Sequence, residues 1–168
     1  MTPDQIAPGT LVFDPVDGPR MRGRVAQSGN YFDAPLISHV EGNLYQGGCY
    51  EGIELAEGFK HVISLYPWEK YDLPKGCDRE EIVMYDSLDQ DMALIDEVAQ
   101  KVVDALKDGP TLVHCQAGLN RSGLVAARAL MLMGRSSDEA IKLLRDSRSP
   151  EVLSNPAFEA YLRSLDAQ

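Results

Sequence analysis

The sequence predicts a single α/β domain, with a mostly parallel central sheet flanked by helices and a distinctive loop between one strand and a buried helix. Three observations lead there. From residue 43 onward, short apolar runs of strand length alternate with segments of helical periodicity. The length of 168 residues suits one well-formed core better than two. The stretch from His114 to Gly123 sets a glycine and short polar residues between a strand-like run and an apolar helix-like one.

The predicted strands are Asn43 to Gln46, His61 to Tyr66, Ile82 to Tyr85 and Thr111 to His114. The clearest helix runs from Asp91 to Lys107, because Ile95, Val98, Ala99, Val102 and Leu106 recur at intervals of three and four, and Gly109 and Pro110 stop it. Ser122 to Met133 is apolar nearly all round and so is read as a buried helix ending at Gly134. Ser136 and Glu139 have the spacing of a capping box ahead of Ala140, Ile141, Leu143 and Leu144. Asn155 as N-cap and Pro156 at the first helical position open a last helix that buries Phe158, Tyr161, Leu162 and Leu165. Strands alternating with helices build an α/β sheet. Residues 1–35 are rich in Gly, Pro and Asp, with one β-like run at Leu11 to Phe13, and are predicted to form an irregular arm with room for a hairpin ahead of the domain at 36–168.

Composition narrows the function classes. Hydrophobic residues make up 44% and charged residues 25%, the balance of an ordinary globular protein. The formal net charge of -10 argues against a nucleic-acid partner and against an anionic membrane surface, since both are bound by clustered Lys and Arg. It leaves room for a small anionic substrate if positive potential is concentrated in one pocket. The three cysteines, Cys49, Cys77 and Cys115, are sparse and odd in number, and the opening MTPDQIAPGT lacks the basic and apolar regions of a signal peptide, so a reducing cytoplasm is expected. No apolar run approaches the ~20 residues of a membrane span.

The chemistry is concentrated in His114-Cys115-Gln116-Ala117-Gly118-Leu119-Asn120-Arg121-Ser122-Gly123. A loop leaving a parallel strand and opening a helix can gather backbone N–H groups into one concavity, where the helix dipole also favours an anion. Gly118 can adopt the positive φ that such a curl needs. Arg121 adds a planar fork that can hold two phosphate oxygens and stays charged at any relevant pH. The thiolate is the reactive form of cysteine, and helix N-termini and neighbouring cations favour it. Cys115 in such a loop can therefore attack phosphorus in line while the surrounding donors take up charge on the equatorial oxygens.

These residues carry a resemblance. HCQAGLNRSG resembles the H-C-x-x-G-x-x-R-S/T signature of the protein tyrosine phosphatase superfamily, and the chain from about residue 36 to 165, with NLYQGG, HVISLY, IVMYDS and AIKLLRDSRSPEVLSNPAF, resembles its compact dual-specificity branch. The resemblance implies a phosphocysteine intermediate, no metal and no other cofactor. It implies that Gln116, Ala117, Gly118, Leu119, Asn120 and Arg121 surround the phosphate, that Ser122 aids departure of the thiolate and that His114 supports it. On the residues alone, His114 also fits a structural histidine closing a strand and Ser122 an ordinary N-terminal helix residue.

A proton donor for the leaving oxygen, which then activates water, is sought among Asp86, Asp89 and Asp91. Asp91 fits the cap of the long helix. Asp86 leaves a predicted strand at its carboxyl end, where ligand crevices form, and matches the position of the acid in the resemblance; Asp89 is the alternative. Cys49 and Cys77 are expected to be packing residues, and Tyr66, Trp68 and Tyr71 to pack on the domain or line a groove. The uncharged lip of Gln116, Ala117, Leu119 and Asn120 favours phosphoproteins carrying phosphotyrosine, phosphoserine or phosphothreonine. RNA 5′-triphosphatase and phosphoinositide phosphatase activities are the alternatives, and a dead phospho-binding module is disfavoured because Cys115 and Arg121 are both present.

Overall fold

The computed structural model of the protein describes residues 10–14, 18–85 and 92–167. Two sheets form. The first is an antiparallel meander of β1 (Thr10–Asp14), β2 (Gly18–Arg24) and β3 (Tyr31–Pro35). The second contains β4 (Ile37–Glu41), β5 (Leu44–Gly47), β6 (His61–Ser64), β7 (Asp78–Glu81) and β8 (Thr111–His114) in the order β4-β5-β8-β6-β7. Only the β4–β5 pair is antiparallel; β5–β8, β8–β6 and β6–β7 are parallel. Among the described residues four helices flank it: α1 (Met92–Asp108), α2 (Arg121–Leu132), α3 (Ser137–Ser147) and α4 (Pro156–Ser164). A mostly parallel sheet with flanking helices is the architecture that the alternation predicts.

β8 sits at the centre of the second sheet and is buried along its whole length, which is why Thr-Leu-Val-His reads as a continuous strand rather than an alternating one. Helix α2 follows directly and buries Leu124, Val125, Ala126, Ala127, Ala129 and Leu130. Its small residues let α1 approach closely, and α1 brings Ile95, Val98, Ala99 and Val102 into the same core. The caps predicted for α3 and α4 are present. Ser136 accepts from the backbone N–H of Glu139 while the Glu139 carboxylate accepts from the Ser136 N–H, and Asn155 accepts from the Ala157 N–H ahead of α4.

Three elements differ from the sequence expectation. Over residues 18–35 the expected irregular arm is regular: β2, sequence GPRMRGR, has poor strand composition and is held by what lies beside it. Met21 is buried, and Arg20 and Arg22 both pair with Asp33 across the β2–β3 ladder. β4 has no counterpart among the predicted strands. The strand expected at Ile82 to Tyr85 lies four residues earlier, at Asp78–Glu81. As the edge strand beside β6 it needs little apolar character, so the charged DREE pairs while the more apolar IVMY leaves the ladder after the Ile82 N–H donates to Ser64 O.

Candidate active site

The segment between β8 and α2 is a tight loop whose carbonyls all find partners in the surrounding protein. Gln116 O accepts from the Cys49 N–H at 2.9 Å, Leu119 O from the Leu153 N–H at 3.1 Å and Asn120 O from the Leu124 N–H at 2.8 Å. Ala117 O accepts from Arg148 Nη2 at 3.1 Å, and Gly118 O from Arg148 Nε at 2.8 Å and from Gln46 Nε2 at 3.1 Å. In a planar trans peptide the C=O and the following N–H point in opposite directions. Drawing five successive carbonyls outward therefore turns the N–H groups of residues 117–121 toward the opposite side, the geometry of an anion cradle. Gly118 makes the curl possible. Its φ is +77°, and a Cβ there would lie 2.6 Å from Arg148 Nη2 and 2.6 Å from the Gly47 carbonyl carbon.

Arg148 is the brace behind the cradle. Besides the two loop carbonyls, its Nη1 donates to Pro35 O at 2.6 Å and to Ser38 Oγ at 3.0 Å. It is 7% exposed, and burial pushes its guanidinium down to about 10, so it remains charged at neutral pH. Among the described residues no carboxylate forms an ion pair with it. A buried cation whose partners are neutral leaves positive potential at the cradle of a protein with net charge -10.

Cys115 is buried at the base of the loop, with Sγ 3.3 Å from Ser122 Oγ. Ser122 is fully buried and receives an N–H from Gln46 Nε2 at 3.1 Å. His114 is enclosed beneath the loop: its Nδ1 is 3.2 Å from Cys115 O and its Nε2 is 2.5 Å from Tyr71 Oη. A carbonyl can only accept, so Nδ1 carries the proton, and Nε2 accepts from the Tyr71 hydroxyl. Burial pushes the His114 imidazolium down to about 4 and raises the Tyr71 hydroxyl well above its usual range, so both stay neutral in this pair. The Arg79 guanidinium lies over the Tyr71 ring, 4.4 Å from its centroid.

Arg121 is half-buried at the start of α2, its Nη1 donating to Met84 O at 3.2 Å and its guanidinium 5.2 Å from the Tyr66 ring centroid. That bond ties the chain two residues before Asp86 to the cradle. Asp86 itself lies outside the described residues, as do Asp89 and Asp91. Of the four expected lip residues, Gln116 is exposed and Ala117 half-buried, whereas Leu119 and Asn120 are buried. The Asn120 side chain accepts from the Asn155 N–H at 2.8 Å, bracing the loop against the start of α4. Cys49 is buried and its thiol is pushed up to about 12, chiefly by burial, as befits a packing residue; Cys77 is partly buried. Of the aromatic residues, Tyr71 packs inside, Tyr66 lies beneath Arg121 and Trp68 is half exposed.

A cavity of about 220 Å³ opens over the loop, lined on one side by Cys115, Gln116, Leu119 and Arg121 and on the other by Val25, Ala26, Gln27 and Phe32 of the N-terminal sheet. The turn between β2 and β3 is clamped in place by Glu151, which accepts from Ser28 Oγ at 2.7 Å and from Asn30 Nδ2 at 2.8 Å.

Residues 45–168 match the family model "Dual specificity phosphatase, catalytic domain". The chain belongs to the dual specificity phosphatase family. It is similar to the dual specificity protein phosphatase OPG106 of Vaccinia virus strain Copenhagen, 29% identical over 136 residues that make up 74% of this chain and 78% of that protein. It is also similar to the dual specificity protein phosphatase Mpk3 of Drosophila melanogaster, 28% identical over 152 residues, or 83% of this chain but only 36% of that longer protein. Among solved structures, human DUSP28 has the same fold, with a TM-score of 0.67 and 21% identity over 77% of this chain and 95% of that one.

Sequence reasoning missed two residues of this site, Arg148 and Gln46, and it missed the bond to His114 made by Tyr71, which it expected to pack on the domain or line a groove. Arg148 and Gln46 are polar residues in otherwise apolar or ordinary helical surroundings, and that mismatch with their neighbours was the available signal. Tyr71 lies in a loop whose path the sequence does not reveal.

Proposed function

We propose that the protein hydrolyses phosphomonoesters on phosphoproteins, phosphotyrosine together with phosphoserine and phosphothreonine, through a phosphocysteine intermediate. Cys115 Sγ attacks phosphorus, the bond to the leaving oxygen breaks, and Asp86 gives that oxygen its proton. The N–H groups of residues 117–121 and the fork of Arg121 hold the equatorial oxygens. Ser122 donates to the sulfur as it departs in the second step, and neutral His114, held by Tyr71, fixes the Cys115 carbonyl. No metal and no other cofactor takes part.

The observation that carries this reading is the set of five outward carbonyls backed by the buried cation of Arg148, with a cysteine sulfur at the centre of the concavity. The uncharged exposed lip, Gln116 and Ala117, and the net charge of -10 favour a phosphoprotein over a polyanionic lipid or RNA. The same charge, with the sparse cysteines, favours a cytoplasmic enzyme free of membranes and nucleic acid. No helix among the described residues is long and apolar enough to cross a membrane.

The test is hydrolysis of p-nitrophenyl phosphate, a phosphopeptide panel, a phosphoinositide and a triphosphorylated RNA, each with and without chelator. Chelator-insensitive turnover of the phosphopeptides, abolished in Cys115→Ser, is expected. Turnover surviving Cys115→Ser would sink the mechanism, and preference for the lipid or the RNA would overturn the substrate class.

A further inference from the structure

Gln46 stands on β5 between β4 and β8, fully buried, at a strand position where an apolar residue would pack. Its Nε2 is shared between Gly118 O and Ser122 Oγ, both at 3.1 Å, while its Oε1 is buried with no hydrogen-bond partner among the described residues. A buried acceptor without a partner costs stability, so the amide serves something other than folding.

Its orientation is not arbitrary. Gly118 O can only accept, so the nitrogen must face it; turning the amide over would bring two oxygens together. The same nitrogen then donates its second hydrogen to Ser122 Oγ. With that oxygen accepting from Gln46, the Ser122 O–H is left to point elsewhere, and Cys115 Sγ lies 3.3 Å away. Three groups are thus set in sequence: the Gly118 carbonyl fixes the amide, the amide fixes the hydroxyl oxygen, and that oxygen, which accepts from the Cys115 thiol in the structure, is placed to donate its own hydrogen once the sulfur carries charge.

We propose that Gln46 is a positioning residue for the second chemical step, holding the Ser122 hydroxyl as a donor to the Cys115 sulfur. This deepens the proposed function and rests on its assignment of Cys115 and Ser122. In that step water attacks the phosphorus of the phosphocysteine and the P–S bond breaks with its electron pair remaining on Cys115 Sγ. One water proton passes to the carboxylate assigned at Asp86, and orthophosphate leaves. The hydroxyl stabilises the charge that appears on sulfur. The first step, in which sulfur gives up charge, gains nothing from it, so Gln46 acts on breakdown of the intermediate and not on its formation.

The experiment compares wild type, Gln46→Met, Gln46→Leu, Ser122→Ala and the Gln46→Met/Ser122→Ala double variant with p-nitrophenyl phosphate, in the steady state and by stopped flow. Both Gln46 variants should melt no lower than wild type, because they remove the orphaned acceptor while Gly118 O keeps its bond to Arg148. Their kcat should fall about tenfold, as for loss of a hydrogen bond to a charged group, with KM falling in parallel. Formation of the intermediate should continue at the wild-type rate, seen as a burst of p-nitrophenolate approaching one equivalent. The double variant should be no slower than Ser122→Ala. Wild-type kcat in both Gln46 variants overturns the proposal. So does a full further loss from Gln46→Met in the Ser122→Ala background, or unaltered breakdown in Ser122→Ala itself. None of these outcomes disturbs the assignment of Cys115, which fails only if Cys115→Ser keeps turning over.

Discussion

Arg148 Nε donates to the carbonyl of Gly118 at 2.8 Å, across 30 residues of chain, and so holds the centre of the loop from the position that closes α3. The same guanidinium reaches Ala117 O, Pro35 O and Ser38 Oγ. One side chain therefore joins the loop, the C-terminal end of α3 and the junction between the two sheets.

Arg148→Lys is expected to keep the charge and lose the function. An ammonium cannot reach four acceptors spread around a planar fork, so at least one buried carbonyl is left without a donor, at about 1–3 kcal/mol each. Urea unfolding should report that loss. kcat/KM for p-nitrophenyl phosphate should fall by about tenfold or more as the loop relaxes. A variant with wild-type stability and turnover would show that the cradle is not held from behind by Arg148.

Acid should destabilise the fold through His114. Its folded-state value, about 4, lies below the ordinary value of 6.5 because burial excludes the charged form. Between those two pH values the unfolded chain binds more protons at this residue than the folded one, so stability rises with pH across the window and is lost as pH falls from about 6.5 toward 4. His114→Gln should flatten that part of the difference in unfolding free energy, measured by denaturant titration from pH 4 to 7. An unchanged slope would mean that His114 is not the titrating group.

Much of this site was legible because local chemistry fixes it. The spacing from His114 to Ser122 placed Cys115 and Arg121 on one turn, and Asn155 with Pro156 placed the helix whose start braces Asn120. What stayed hidden depends on partners distant in sequence. Arg148 looks like any cation at the end of a helix until Gly118 is folded against it. β2 looks like a loop until Met21 and Asp33 are beside it. β7 was misplaced because an edge strand can be charged, which removes the apolar signal on which strand prediction depends.

We propose Asp86 as the acid, and leaving-group chemistry tests it. Asp86→Asn should slow alkyl phosphates by about 100 to 10,000-fold, the range for lost general acid catalysis, while aryl phosphates with good leaving groups suffer less. The bond from Arg121 to Met84 O ties the chain two residues before Asp86 to the loop. If Asp89→Asn shows the leaving-group dependence and Asp86→Asn does not, the acid is Asp89.

The N-terminal sheet should tune substrate choice without taking part in chemistry. Val25, Ala26, Gln27 and Phe32 form the wall of the cavity opposite the loop, and Glu151 holds the turn that carries them through its bonds to Ser28 and Asn30. Those two bonds lie at the surface, where each contributes about 0.5–1.5 kcal/mol, so Glu151→Ala should cost little overall stability. The turn would still lose its fixed distance from the loop. A phosphopeptide has residues beside its phosphate with which to meet this wall, whereas p-nitrophenyl phosphate has none. Glu151→Ala should therefore raise KM for phosphopeptides by up to about tenfold, the equivalent of about 1.4 kcal/mol of lost binding, and leave kcat for the small substrate near its wild-type value. Equal losses on both substrates would place the effect in the loop beneath, through the neighbouring Val152 and Leu153 that pack on Gly123, and not in the wall.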